Sequence, residues 1–119
     1  MIYLMSYEIK TIASFDKDFK RLFKRYRSLV DDIKNLVNEL QSNPFMGADL
    51  GHGVRKIRVA IKSKGGGKRG GARLITHTDV IVGINEGIIY FLALYDKGDR
   101  ETISNKEIKA LLKESGIKP

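Results

Sequence analysis

Residues 56–73 read KIRVAIKSKGGGKRGGAR. The first seven positions alternate. Ile57, Val59 and Ile61 fall on one side of an extended chain, and Lys56, Arg58, Ala60 and Lys62 on the other. A helix would mix the two sets around its circumference, so a strand is predicted, with one apolar and one cationic face. GGGKRGG, residues 65–71, follows as a loop, because glycine accepts backbone angles that end regular structure. ARLITHTDVIVGI (Ala72 to Ile84) then reads as a second strand, long or bulged. If it pairs with the first across the glycine loop, Gly71, Arg73, Ile75 and His77 share one face and Arg73 joins the cations.

Upstream, YEIKTIA (Tyr7 to Ala13) suits a short first strand. After Ser14, the residues Phe15, Phe19, Leu22, Phe23 and Tyr26 recur at helical spacing and are read as core rather than as a base-stacking platform. Ser28, with Asp31 three residues on, resembles a variant capping box for a second helix striped by Leu29, Ile33, Leu36, Val37 and Leu40. SNP at Ser42 to Pro44 ends it, and the tight RYRS connection implies an antiparallel helical hairpin. Downstream, NEG (Asn85 to Gly87) is a turn into IIYFLALYD, whose unbroken apolar run predicts an interior strand closed by Tyr95 and Asp96. Ser104 and Glu107 form a capping box for a last helix carrying Ile108, Leu111 and Leu112. The order β-α-α-β-β-β-α predicts class α+β: a small antiparallel β-sheet with an N-terminal helical hairpin and a C-terminal helix, one domain over residues 1–119.

Charge gives the first functional indication. Of 22 Lys and Arg, eight lie between Leu50 and Thr78, where there is no acid; the remaining 14 balance the 14 Asp and Glu. The whole excess of +8 therefore sits in one segment, which reads as an anion-binding surface. Lys56, Arg58, Lys62, Lys68, Arg69 and Arg73 would form a concave patch suited to a phosphate backbone, with glycines giving it room. GGGKRGG lacks the Lys-Ser/Thr ending of a nucleotide-binding P-loop. The absence of cysteine removes disulfides, thiolate metal sites and a cysteine nucleophile, and fits a cytoplasmic protein. His52 and His77 lack a second ligand and are read as ordinary polar residues; Ser104 is read as a cap. MIYLMSYEIK has no basic n-region, so no signal peptide is expected, and the longest apolar run is too short for a bilayer.

Two stretches, GADLGHGVRKIRVAIKSKGGGKRGGARLI and YFLALYDKGDRETISNKEIKALL, resemble the RelE/HigB superfamily of bacterial toxin–antitoxin toxins, most of all its HigB-like branch. The likeness lies in Asp-Leu-Gly, then Lys-x-Arg, then Gly-Lys-x-Gly-Gly-x-Arg, then Thr-Ile-Ser before the last helix, and runs from about Ser14 to Lys113. The resemblance implies two N-terminal helices on a small sheet. It also implies cleavage of mRNA on the translating ribosome without metal or cofactor, and growth arrest unless a cognate antitoxin, expected to be of helix-turn-helix type, is present. The family's functional positions fall on Lys56, Arg58 and Arg73, and its basic turn after the last strand on Lys97 and Arg100. The Tyr or His that the best-studied members carry near the last helix has no counterpart; Ser104 stands near that place, and the general acid and base stay unassigned.

The residues agree with that chemistry. RNA carries its own nucleophile, the 2′-OH, so the protein need only align it, take its proton and stabilise charge on phosphorus. Arg58 and Arg73 suit the charge, Lys56 is a candidate base, and Lys62, Lys68, Arg69, Lys97 and Arg100 suit RNA binding. A magnesium-dependent nuclease would need carboxylate ligands that the segment lacks. Two alternatives share the fold: a ParE-like inhibitor of a protein target such as gyrase, and an RNA- or ribosome-binding module without chemistry.

Overall fold

Alternating side chains place the middle of the chain in a five-stranded sheet, in the computed structural model, which describes residues 6–81, 83 and 86–117. The elements are β1 (Ser6–Thr11), α1 (Ala13–Arg25), α2 (Leu29–Ser42), β2 (Ala48–Gly51), β3 (Val54–Val59), a single helical turn α3 (Gly67–Gly70), β4 (Ala72–Ile81), β5 (Glu86–Asp96) and α4 (Asn105–Ser115). The sheet order is β1-β5-β4-β3-β2. The fold is α+β with a mostly antiparallel sheet, as expected; only β1 runs parallel to its neighbour, β5.

The expected strand at Lys56 to Lys62 forms two residues earlier, as Val54–Val59, because a turn closed by Lys64 N–H on the Ile61 carbonyl at 3.0 Å takes the chain out of the sheet. Ile61 stays buried, but Lys62 leaves the cationic strand face. A strand not foreseen, β2, pairs with β3 as a hairpin whose turn holds His52 at φ 55 between two left-handed glycines. The expected glycine loop contains the turn α3. Within it, Gly65, Gly66 and Gly67 have φ of 80, 77 and 63, a run that other residues strain to adopt. Gly71 is needed for a different reason: a Cβ there would lie 1.9 Å from the Val59 carbonyl oxygen.

β4 and β5 pair along their full length with one bulge at Ile75/Thr76, so the strand is indeed bulged. Its expected continuation through Val82 and Ile84, and Asn85 of the expected NEG turn, lie outside the described residues, as do the first five residues of the N-terminal stretch. Ser28 precedes α2, yet its side chain caps no amide. Instead its hydroxyl donates to Asp32 at 2.7 Å and accepts the Ser63 N–H at 2.8 Å. Asp32 in turn accepts the Lys62 amide at 3.2 Å, so the start of α2 grips the segment that leaves β3. The Ser104–Glu107 capping box forms as the sequence predicts.

Helices cover both faces of the sheet. On one face Phe15 and Leu22 of α1 and Leu36 and Leu40 of α2 pack with Ile57, Val59, Leu74 and Phe91. On the other, Ile108 and Leu112 of α4 pack with Val54, Ile75, Ala93 and Tyr95. Each buried Val, Leu, Ile or Phe among them contributes about 1.5–3 kcal/mol by leaving water. Because α4 covers only part of the second face, the rest of that face holds the cations of β3 and β4.

Candidate functional site

Register brings the site together. In β3 and β4, Arg58 stands directly opposite Arg73 and Lys56 opposite Ile75; in β4 and β5, Arg73 stands opposite Tyr95. Directly paired residues share a face, so Arg58, Arg73 and Tyr95 form a row across three adjacent strands. Lys56 lies two residues from Arg58, on the same side.

The members of this row differ in exposure. Arg58 is open to solvent and Lys56 half-buried. Arg73 is only 5% exposed, which corrects the expectation that it stands on the open face. Its Nη1 donates to the carbonyls of Lys68 at 3.1 Å and Ala72 at 3.0 Å, and its Nη2 to the carbonyl of Arg69 at 3.1 Å. Two of those carbonyls belong to α3, whose last turn leaves them without helical partners, so the guanidinium fastens the glycine loop to the sheet.

No carboxylate touches the Arg73 guanidinium among the described residues. Burial pushes its pKa down, and the facing Arg58 charge pushes it further in the same direction. A buried cation beside a second cation is costly unless an anion joins them. Among the described residues its Nε and one hydrogen of Nη2 have no hydrogen-bond partner, and these are donors for such an anion.

The other expected cations distribute unevenly. Lys56, Arg58 and Lys68 line a hollow of about 510 Å³ with Met46, Gly47 and Ala48. Arg58 and Lys68 also line a neighbouring hollow of about 440 Å³ that reaches Lys62 and, on α2, Asp32 and Glu39. Lys68 is tethered to Glu39 at 3.4 Å, and Arg69 is exposed on α3. Lys97 begins the turn after β5, half-buried, its amide bonded to the Gly71 carbonyl. Arg100 is not in the row. It lines a separate hollow of about 360 Å³ between α1, α4 and the end of β5. There it bonds both Glu107 oxygens at 2.8 and 2.9 Å, and its guanidinium lies 5.0 Å over the Tyr95 ring.

Lys64, one of the seven cations of the opening stretch, is diverted to a structural role. Its Nζ bonds the buried Asp96 carboxylate at 2.5 Å, which also accepts the Tyr26 hydroxyl at 2.5 Å and the Gly98 amide at 2.8 Å. Burial alone would raise the Asp96 pKa; the bonds from Lys64, Tyr26 and Gly98 outweigh it and hold the carboxylate below its ordinary value. This knot ties the glycine loop to the end of β5 beside Tyr95.

Tyr95 is the residue sequence reading passed over. Its side chain is 5% exposed, and among the described residues its buried hydroxyl has no hydrogen-bond partner. A tyrosine at the end of an apolar strand carries no signal of this; only the pairing with Arg73 reveals it. His77 lies four residues along β4, half-buried, its pKa pushed down by burial. Among the described residues no group of three or more His, Asp and Glu is placed to hold a metal, and no helix is long and apolar enough to cross a membrane. The family model described as the RelE toxin of the RelE/RelB toxin–antitoxin system matches residues 14–117.

Proposed function

Because the chain belongs to the RelE toxin family, and is thus the toxin of a toxin–antitoxin pair with a cognate antitoxin, we propose that it acts in the cytoplasm as a metal-independent endoribonuclease on mRNA bound to the translating ribosome. The observation that carries this reading is the buried Arg73 guanidinium, which lacks a carboxylate, faces Arg58 and keeps free donors. A phosphate seated between Arg58 and Arg73 neutralises both. In that position Arg58 and the spare Arg73 donors meet the charge that builds on phosphorus as the 2′-oxygen attacks. Lys56, on the same face two residues from Arg58, takes the 2′-OH proton as the free amine and then releases it to water. Lys62 and Lys68 guide the strand along the two adjoining hollows, Arg69 does so from the exposed side of α3, Arg100 holds it at the hollow beside the end of β5, and Lys97 holds it just after β5. The antitoxin is expected to be a helix-turn-helix protein.

Arg58→Ala tests this reading better than Arg73→Ala, because Arg58 is exposed, whereas Arg73 is buried and also fastens the glycine loop. Cleavage of ribosome-bound mRNA by Arg58→Ala should fall by about 10²–10³, the cost of losing one preorganised charge donor. Wild-type cleavage should stop when the 2′-OH at the cleaved bond is replaced by hydrogen. Undiminished cleavage by Arg58→Ala, or cutting of the deoxy substrate, refutes the proposal. RNA binding without any cleavage identifies a binding module instead, and inhibition of DNA supercoiling identifies a gyrase-type inhibitor.

A further inference from the structure

A reaction that expels a 5′-oxygen needs a proton donor, and Lys56, Arg58 and Arg73 do not supply an evident one. His77 is four residues from Arg73 along β4, about 13 Å at the rise of a strand. Ser104 is engaged in its capping box. Tyr95 is the nearest remaining candidate, and three observations favour it.

Its position comes first: Tyr95 ends the row Arg58–Arg73–Tyr95, with Arg73 directly opposite it. The second is its unmet hydrogen bond. Buried tyrosine hydroxyls ordinarily find a partner, and leaving one without costs about 1–3 kcal/mol. Among the described residues the Tyr95 hydroxyl has none. A group that bears this cost in a cationic row is placed for a partner that arrives with the substrate. The third is the held ring. Arg100 covers it at 5.0 Å and is itself fixed by Glu107 and by the Thr102 carbonyl at 2.9 Å. That cation also stabilises the phenolate that remains once a proton has left.

Resting on the ribonuclease reading above, we propose that the Tyr95 hydroxyl is the general acid of this site. As the 2′-oxygen bonds to phosphorus, the bond from phosphorus to the 5′-oxygen breaks, and the Tyr95 proton goes to that oxygen. The products are a 2′,3′-cyclic phosphate and a 5′-hydroxyl end. The phenolate regains a proton from water, and the 2′-OH proton has gone to Lys56. Burial raises the Tyr95 pKa, against the opposing pull of Arg100 and Arg73, so the group is protonated at neutral pH and acts as an acid rather than a base.

The experiment compares wild type and Tyr95→Phe on ribosome-bound mRNA in rapid-quench single turnovers. The cleaved bond is first mapped with wild type. Two versions of the message are used, one with the natural 5′-oxygen and one with sulfur bridging at that position. Sulfur leaves without a proton. Tyr95→Phe should cleave the oxygen substrate about 10²-fold or more slower, the lower end for a lost general acid. It should cleave the sulfur substrate within a few-fold of wild type, bind RNA equally well and melt no lower. Equal rates on the oxygen substrate overturn the inference and leave the ribonuclease reading standing. Equal slowing on both substrates also overturns it, since a residue that only positions RNA slows both. Absence of wild-type cleavage removes both proposals.

Discussion

The Asp96 knot is the feature whose loss should be felt most widely. Asp96→Asn keeps the size of the side chain and removes its charge. The carboxylate is 1% exposed and accepts from Lys64 Nζ, the Tyr26 hydroxyl and the Gly98 amide. An asparagine oxygen can serve part of this set, but its NH2 then faces donors, and Lys64 is left partly buried without a counter-charge. Breaking a buried pair from one side costs about 3–5 kcal/mol. Lys64 retains 23% side-chain exposure, so water recovers some of that and the lower end, about 3 kcal/mol, applies. For 119 residues the unfolding entropy is roughly 0.25 kcal/mol/K, so the melting midpoint should fall by about 12 °C. Thermal melts by circular dichroism at pH 7 read this directly. A double-mutant cycle with Lys64→Met should recover part of the loss, because it leaves no stranded lysine, and Arg25, 3.1 Å from the Asp96 carboxylate, keeps Asp99 as a partner at 2.7 Å. A midpoint within about 3 °C of wild type, or strictly additive losses, refutes the claim that this carboxylate anchors the glycine loop to the sheet.

Two further outcomes follow from the charges. Affinity for single-stranded RNA should fall with salt at a log–log slope of roughly −0.7 per contacted phosphate, so about four to six contacts give a slope near −3 to −4; a flat response in a binding titration refutes the electrostatic footprint. Glu107 is held at a pKa of about 2, first by Arg100 and then by the Ser104 amide, against a usual 4.5. A carboxylate with a depressed folded pKa stabilises the fold fully above its unfolded pKa and loses that contribution as pH falls through the folded one. The α4 cap should therefore weaken between about pH 4.5 and about pH 2, and the midpoint of Glu107→Gln should depend less on pH across that window than wild type.

Local order was legible because it is written in neighbouring residues. The period of two in residues 56–59, the helical spacing of Phe15, Phe19 and Leu22, and the Ser104–Glu107 box each lie within a few positions and form as read, although the strand begins two residues before Lys56 and ends before Lys62. The concentration of positive charge between Leu50 and Thr78 was equally plain, since no acid interrupts it. β2 was missed because four residues with mostly exposed side chains carry no alternation; its strand character comes from pairing with β3.

The sequence by itself thus determined which segments extend, which coil and where the cations gather. Tertiary structure alone decided what each cation does. Lys64 and Arg73 look like Lys68 and Arg58 in the chain, yet one is spent on Asp96, 32 residues away, and the other is buried opposite Tyr95, 22 residues away. Such partners are set by strand register and by how helices close over a sheet. A shift of one residue would turn Arg73 to the opposite face, and no short window of sequence contains the information that prevents it.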